Sequence, residues 1–384
     1  MAWPVRSGPS TQLPSSGATA VDFVVFSHLR WDFVYQRPQH LISRAAAGGR
    51  VLFVEEPIPG DTPRLGMRVV DPGLTIVQPE MPPTMPRALQ DVVLGPMIDH
   101  LVREWRADTE LVVWHYDVMA EPLSRRLAAD VVVFDCMDEL AAFRGAPPEL
   151  PERERNLLRR AQVVFTGGYS LWERKRRQHP NAHCFPSAVD IAHFRAARHP
   201  QPQPGALEAT RAPRFVYAGV IDERIDMQLL ADLAAADIGE VVLVGPVAKI
   251  DPATIPASAR IHQVGIQPYD ALPALFHHAD VGIMPFAINE ATRFISPTKT
   301  PEYLAAGLPV VSTPIHDVAQ AYGDLPSVWV ADREDFVESC SHALAFRGPD
   351  RLADERIAPI SWDRTWEAMA SLIDEALEDE RSVA

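Results

Sequence analysis

The run Phe294–Val311, FISPTKTPEYLAAGLPVV, gathers groups that could hold a phosphate and a ribose. Ser296, Pro297, Thr298 and Lys299 spell a turn. Thr300 can then cap a helix whose first position is Pro301, and Gly307 ends it before a strand over 309–312. A helix N-terminus offers unpaired N–H groups and a positive dipole end to a phosphate. Lys299 adds a full charge there, and Glu302, in the first turn, can accept hydrogen bonds from ribose hydroxyls. The chain has only three lysines, Lys175, Lys249 and Lys299, among 36 basic residues, so arginine is its default cation and a lysine in this turn is notable. The same residues also suit an ordinary turn and helix start, because a first-turn carboxylate is favourable in any helix.

Other chemistry-bearing residues follow short apolar runs. His28, Arg37 and His40 crowd the connection after Val21–Ser27, with Arg37 placed just before a helix and facing a cleft. His115 ends the run Leu111–His115, and Asp138 follows Val131–Asp135. A carboxylate after a strand can deprotonate an acceptor hydroxyl or cap the next helix. Gly219 and Arg224 follow the run Arg214–Ala218. His277 and His278 have no third ligand at helical spacing, so no metal is expected.

The elements that must position these groups are readable from periodicity. Apolar, β-branched runs at 21–27, 50–54, 111–115, 131–135 and 162–166 read as buried parallel strands. Helix-length segments at 86–105 and 151–160 lie between them. After a Pro-rich stretch at 196–213 a second alternating series begins, with strands at 214–218, 241–244, 260–264, 281–284 and 309–312. The expected architecture is therefore α/β: two doubly wound Rossmann-like domains, 21–195 and 214–350, facing a cleft across a linker at 196–213. A disordered tail at 1–20 and a carboxy-terminal helical segment at 351–384 complete it, the latter with a one-sided apolar stripe of Trp366, Met369, Leu372, Ile373 and Leu377. Ligands of such sheets sit beyond the carboxyl ends of the strands.

Composition narrows the function. The 384 residues carry a formal charge of −15, which disfavours broad binding to nucleic acid. Three scattered cysteines suit a reducing compartment, and neither a signal peptide nor a bilayer-spanning run is visible. The exception to the negative charge is 151–199, which includes Arg174, Lys175, Arg176 and Arg177 and suits either a solvated helix face or contact with an anionic membrane.

The pattern K-x-x-E-Y-L-A-A-G-x-P-V-V from Lys299 to Val311 resembles the donor-binding segment of GT-B glycosyltransferases, most narrowly the family 4-like enzymes of capsule, teichuronic-acid and exopolysaccharide assembly. Pro186–Asp190 followed by Phe194, Tyr217–Gly219, and the opening His28-x-x-Trp31 through Gln36-Arg37-Pro38-Gln39-His40 are similar to further elements of that group. The resemblance implies transfer of a sugar from a nucleotide diphosphate sugar to a glycan or lipid-linked acceptor in the cytoplasm or at its membrane face, with retention of configuration and without metal or other cofactor. It implies a donor site of Gly219, Arg224, Ser296, Thr298, Lys299 and Glu302, catalytic roles for His115, Asp138, Arg224 and Lys299, and cleft roles for His28, Arg37 and His40. Glu302 matches the second glutamate of the E-x7-E signature, whereas Phe294 stands at the first. Asp226 stands where a diphosphate lysine would follow Arg224, which leaves Lys299 as its substitute. A nucleotide-sugar isomerase or hydrolase, or a binding protein without catalysis, are the alternative readings on the same fold.

Overall fold

The computed structural model describes residues 21–383; the tail expected at 1–20 lies outside them. The apolar runs form the strands read from the sequence, because a β-branched chain buried on both faces satisfies its backbone only within a sheet. The amino-terminal sheet has the order Ile58–Pro59, Leu74–Met81, Arg50–Glu55, Val21–Ser27, Glu110–His115, Val131–Cys136, Val163–Thr166, Ala182–Cys184. All these neighbours are parallel; Arg64–Asp71 adds an antiparallel edge to Leu74–Met81. Residues 58–81 thus supply three strands that the sequence reading did not assign. The carboxy-terminal sheet is parallel throughout: Ile261–Gly265, Glu240–Val244, Arg214–Ala218, Val281–Met284, Val310–Ser312, Val328–Val330.

In each sheet the strand order reverses beside the first strand of the domain. Val21–Ser27 lies between Arg50–Glu55 and Glu110–His115, and Arg214–Ala218 lies between Glu240–Val244 and Val281–Met284. The connections leaving such a strand pair diverge to opposite faces and open a crevice at its carboxyl end. His28 and Tyr116 border that point in the first domain, Gly219 and Pro285 in the second.

The carboxy-terminal segment is divided between the two domains. Arg351–Ile357 buries Ala353 and Ile357 in the carboxy-terminal core. Trp362–Val383 returns to the amino-terminal domain, where Trp362, Met369, Ile373 and Leu377 join a core cluster with Leu41, Ile42 and Trp114. The Pro-rich 196–213 stretch is packed as well as connecting, since Ala197 and Leu207 are buried against the second sheet.

Candidate active site at the interdomain cleft

The carboxyl end of strand Arg214–Ala218 is shaped by a close backbone approach. Gly245 has φ +139°, and a Cβ there would stand 2.0 Å from the Gly219 carbonyl oxygen. Only glycine allows these two loops to touch. Beyond them, the Arg224 guanidinium is bidentate on Asp222 (2.7–3.1 Å) and lies 5.8 Å from the centre of the Phe143 ring of the other domain. Burial disfavours the charged guanidinium, but Asp222 more than offsets this and holds it protonated. Lys249, exposed and with φ +60°, brings its Nζ to 5.5 Å from the same ring. Among the described residues it makes no salt bridge. Arg224 and Lys249 therefore both border the Phe143 ring, near the switch point of the carboxy-terminal sheet. Lys249 was visible in the sequence as one of three lysines, but its loop carries no motif. Its partner is 25 positions earlier in the chain and only the fold brings the two together.

The opposite wall belongs to the amino-terminal domain. His28 Nδ1 lies 3.2 Å from the Tyr116 carbonyl oxygen, and a narrow crevice is lined by His28, Tyr116, Met137 and Asp138. Burial lowers the His28 imidazole below its ordinary value, against the raising fields of Asp138 and Glu56. The field of Asp138 also favours the charged form of Arg224. The loop after Val131–Cys136 crosses to the other domain: Arg144 N–H donates to Glu223 Oε1 at 3.1 Å.

Lys299 and Glu302 form a second group at the domain junction. The helix runs Lys299–Ala306 with Thr298 at its N-cap, so it begins two residues before the expected start at Pro301, and Thr300 does not cap it. Gly307 ends it at φ +85°, as its position suggested. Lys299 Nζ is 2.5 Å from Glu302 Oε2. The lysine is thus not a free diphosphate cation in this state. Burial raises the Glu302 carboxyl above its usual range, while Lys299 pulls it down. Tyr269, His193 and the Ser296 carbonyl lie at the same junction: His193 stacks on Tyr269 at 4.3 Å, and Ser187 Oγ donates to Ser296 O. Phe294, at the position of the first signature glutamate, is buried in the amino-terminal core, where it makes an apolar contact between domains.

Several sequence expectations are corrected. His115 is fully buried inside its domain, not at the cleft; its Nε2 is 2.9 Å from Ser124 Oγ and its ring stacks on Phe26. Arg37 is the first helical residue and points inward, bidentate on Asp135 and donating to Phe185 O. His40 is buried, stacked on Trp362 and edge-on to Tyr35, but it does border the domain junction, with its ring centre 5.5 Å from that of Tyr269 of the other domain. The basic run 174–177 is not a uniformly charged outer face. Lys175 is buried on Glu139 and Glu154, and Arg174 pairs with Glu139 beneath Phe294. A buried charge must find a partner inside the protein, which removes Lys175 from any membrane contact and leaves Arg174, Arg176 and Arg177 exposed.

His115 gives a pH prediction. Burial lowers its imidazole to about 4 from 6.5, so the fold favours the neutral form. Its contribution is complete above pH 6.5 and is lost as pH falls toward 4. Urea unfolding at pH 5 is expected to show a loss on the order of 2 kcal/mol from this group relative to pH 7. A His115→Gln variant, which has no proton to gain, should show a smaller acid loss; an equal loss would place the acid sensitivity elsewhere.

The comparisons with known proteins agree with this fold. Residues 212–345 match the family model described as glycosyl transferases group 1. With two doubly wound domains around a cleft, this defines the class, a GT-B glycosyltransferase. Among individual proteins, the chain is 22% identical over 282 residues to TuaH of Bacillus subtilis (strain 168), which bears the name of a teichuronic acid biosynthesis glycosyltransferase. The match covers 68% of this chain and 71% of the relative. In fold it is similar to sucrose-phosphate synthase from Thermosynechococcus elongatus, with a TM-score of 0.67 at 16% identity over 93% of this chain and 99% of the other. It is also similar to Anabaena HepE solved in complex with UDP, with a TM-score of 0.57 at 12% identity over 93% and 100% of the two chains.

Proposed function

We propose that this enzyme transfers a sugar from a nucleoside diphosphate sugar to a glycan or lipid-linked acceptor in cell-surface polysaccharide assembly. The observation that carries the donor assignment is that Arg224 and Lys249, from two loops near the switch point of the carboxy-terminal sheet, both border the Phe143 ring of the other domain. Two cations from separate loops suit two phosphates, and charge developing on the leaving diphosphate is the charge that such a pair stabilises. The named role of the Bacillus relative and the UDP bound to Anabaena HepE support the polysaccharide and nucleotide parts of the reading. Among the described residues no His, Cys, Asp and Glu cluster has the form of a metal site, and no helix is long and apolar enough to cross a membrane. Turnover without added divalent metal is part of the proposal, from the resemblance. Retention at the anomeric carbon, also implied by the resemblance, would follow if the acceptor attacks from the face that the diphosphate leaves and passes its proton to that leaving group.

A panel of UDP-, GDP-, ADP- and dTDP-sugars tests the reading through thermal stabilisation and release of nucleotide with glycan and lipid-linked acceptors. A ligand at a hundred times its Kd adds about 2.7 kcal/mol. No stabilisation by any donor would sink the assignment, and release of free sugar alone would mark a hydrolase. Glu302 provides a finer test of the ribose contact. Glu302→Ala is expected to weaken UDP or its preferred counterpart about tenfold, the scale of one charge-assisted hydrogen bond, and to leave inorganic pyrophosphate bound no more weakly. Equal losses for the two ligands in calorimetry would make Glu302 a structural partner of Lys299 only.

A further inference from the structure

A short turn of the amino-terminal domain, 167–170, packs directly on the carboxy-terminal one. Gly167 N–H donates to Cys136 O at 2.9 Å, which ties the turn to the wall that carries Met137 and Asp138. Trp172 N–H donates to Gly168 O at 3.0 Å and fixes its other end. Across the junction stands Asp317, in the first turn of helix His316–Tyr322, which Val318 and Tyr322 anchor in the carboxy-terminal core. Asp317 is buried, and its Oδ1 accepts from Ser170 N–H at 3.1 Å. A Cβ on Gly168 would stand 2.2 Å from Asp317 Oδ2 and 2.7 Å from Ser296 Cβ. Glycine is what permits so close an approach. The turn thus rests both on Asp317 and on Ser296, which shortly precedes the pair of Lys299 and Glu302.

This contact is not built for stability. Asp317 Oδ2 and Ser170 Oγ are both buried without a hydrogen-bond partner among the described residues. Burial of polar atoms without partners is unfavourable, so the acid needs another reason to stand here. We propose that Asp317 is a positioning residue of the transfer: through Ser170 and Gly168 it holds the amino-terminal wall at Asp138 in register with the turn at Ser296. This rests on the transferase reading above. The chain enters the second domain near Val189 and returns near Ile360, and Val189 N–H donates to Ile360 O at 3.0 Å. Two crossings side by side leave rotation of one domain on the other as the soft motion. The contact at Asp317 limits that rotation. Nucleotide binding, placed in the carboxy-terminal domain, does not need the register, whereas transfer does. A misplacement of about 1 Å between reacting groups costs on the order of 10²-fold in rate.

Gly168→Ala isolates the contact. The three atoms nearest to the added Cβ all belong to Asp317 and Ser296, and φ −175° suits any residue, so the amino-terminal domain by itself accommodates alanine. Turnover is measured with whichever of UDP-glucose, UDP-N-acetylglucosamine, GDP-mannose or dTDP-glucose the wild type uses. Gly168→Ala is expected to bind UDP or GDP in calorimetry as wild type does, while kcat falls by about 10²-fold. Small-angle scattering should show a larger radius of gyration, because the domains no longer dock as they do here. A second pair of variants separates alignment from chemistry. Asp317→Asn keeps an acceptor for Ser170 N–H and should turn over close to wild type. Asp317→Ala loses that hydrogen bond, and its kcat should fall about tenfold at unchanged nucleotide affinity. Wild-type kcat in Gly168→Ala would overturn the proposal. So would an Asn variant as slow as the Ala variant, which would give the acid a role in the chemistry, or nucleotide affinity falling as far as kcat, which would mark a distorted donor turn. If Gly168→Ala does not fold, the Asn and Ala pair decides. Absence of wild-type turnover with every donor removes the transferase reading and the positioning role together, whereas the other failures, seen with an active wild type, remove the positioning role alone.

Discussion

Replacing both Arg224 and Lys249 by alanine is expected to abolish useful binding of the nucleoside diphosphate. In the proposed donor site each would make a charge-assisted contact to a phosphate, worth about 1.5–3 kcal/mol, so the pair would account for roughly 10²–10⁴ in affinity. The single variants should each lose about 10–100-fold on the same scale and combine without strict additivity, because both charges act on neighbouring phosphates. Lys249→Ala is the cleaner of the two. Its side chain is exposed, lies over the Phe143 ring and makes no salt bridge among the described residues, so its removal leaves no ionic partner unpaired. Arg224→Ala leaves Asp222 buried without its guanidinium, and thermal melting must accompany it. Calorimetry with UDP and GDP decides the matter. Should Lys299→Ala lose more affinity than Lys249→Ala, the diphosphate is held at the helix Lys299–Ala306 instead, and the pairing of Lys299 with Glu302 must open on binding.

The second large effect falls on stability. Asp135 is fully buried and Arg37 nearly so, joined by contacts of 2.9–3.1 Å. Burial pushes the Asp135 carboxyl up, while Arg37 pulls it back down. Asp135→Ala leaves a buried guanidinium with only the Phe185 carbonyl, and a loss of about 3–5 kcal/mol is expected, the range for breaking a buried pair from one side. Arg37→Met with Asp135→Leu together should recover most of that loss, since no charge is then left behind. Denaturant unfolding followed by tryptophan fluorescence measures both. A double variant as unstable as the single one would mean that the pair positions the loop at Phe185 rather than merely neutralising itself.

These residues show where a sequence stops being informative. The strands, the two-domain division and the helix before Gly307 were legible because their causes are local: apolar runs, turn residues and a left-handed helix end act within a few positions. The edge strand Arg64–Asp71 was not, since its exposed, charged face carries no apolar alternation and its pairing is supplied by Leu74–Met81. The one-sided stripe of the last helix announced that it would be buried, but its docking on the amino-terminal domain depends on Leu41, Ile42 and Trp114, more than 240 positions away.

The candidate site divides in the same way. Sequence alone marked Arg224, Lys299, Glu302, His28 and Asp138 by their places after strands or at a helix start, and those places are correct in the fold. Which of them is open to a ligand was decided by tertiary structure. Arg37 and His115 had the right residue types in the right connections, yet Asp135 and Ser124 claim them from within the protein. Lys249 had no local signal, and only the fold sets it against Phe143 of the opposite domain, the ring that Arg224 also borders. The reason is electrostatic. A charged or polar side chain is open to a ligand only where its internal partners leave a polar atom free, and whether they do is decided by the fold, often at a sequence distance that local patterns do not encode.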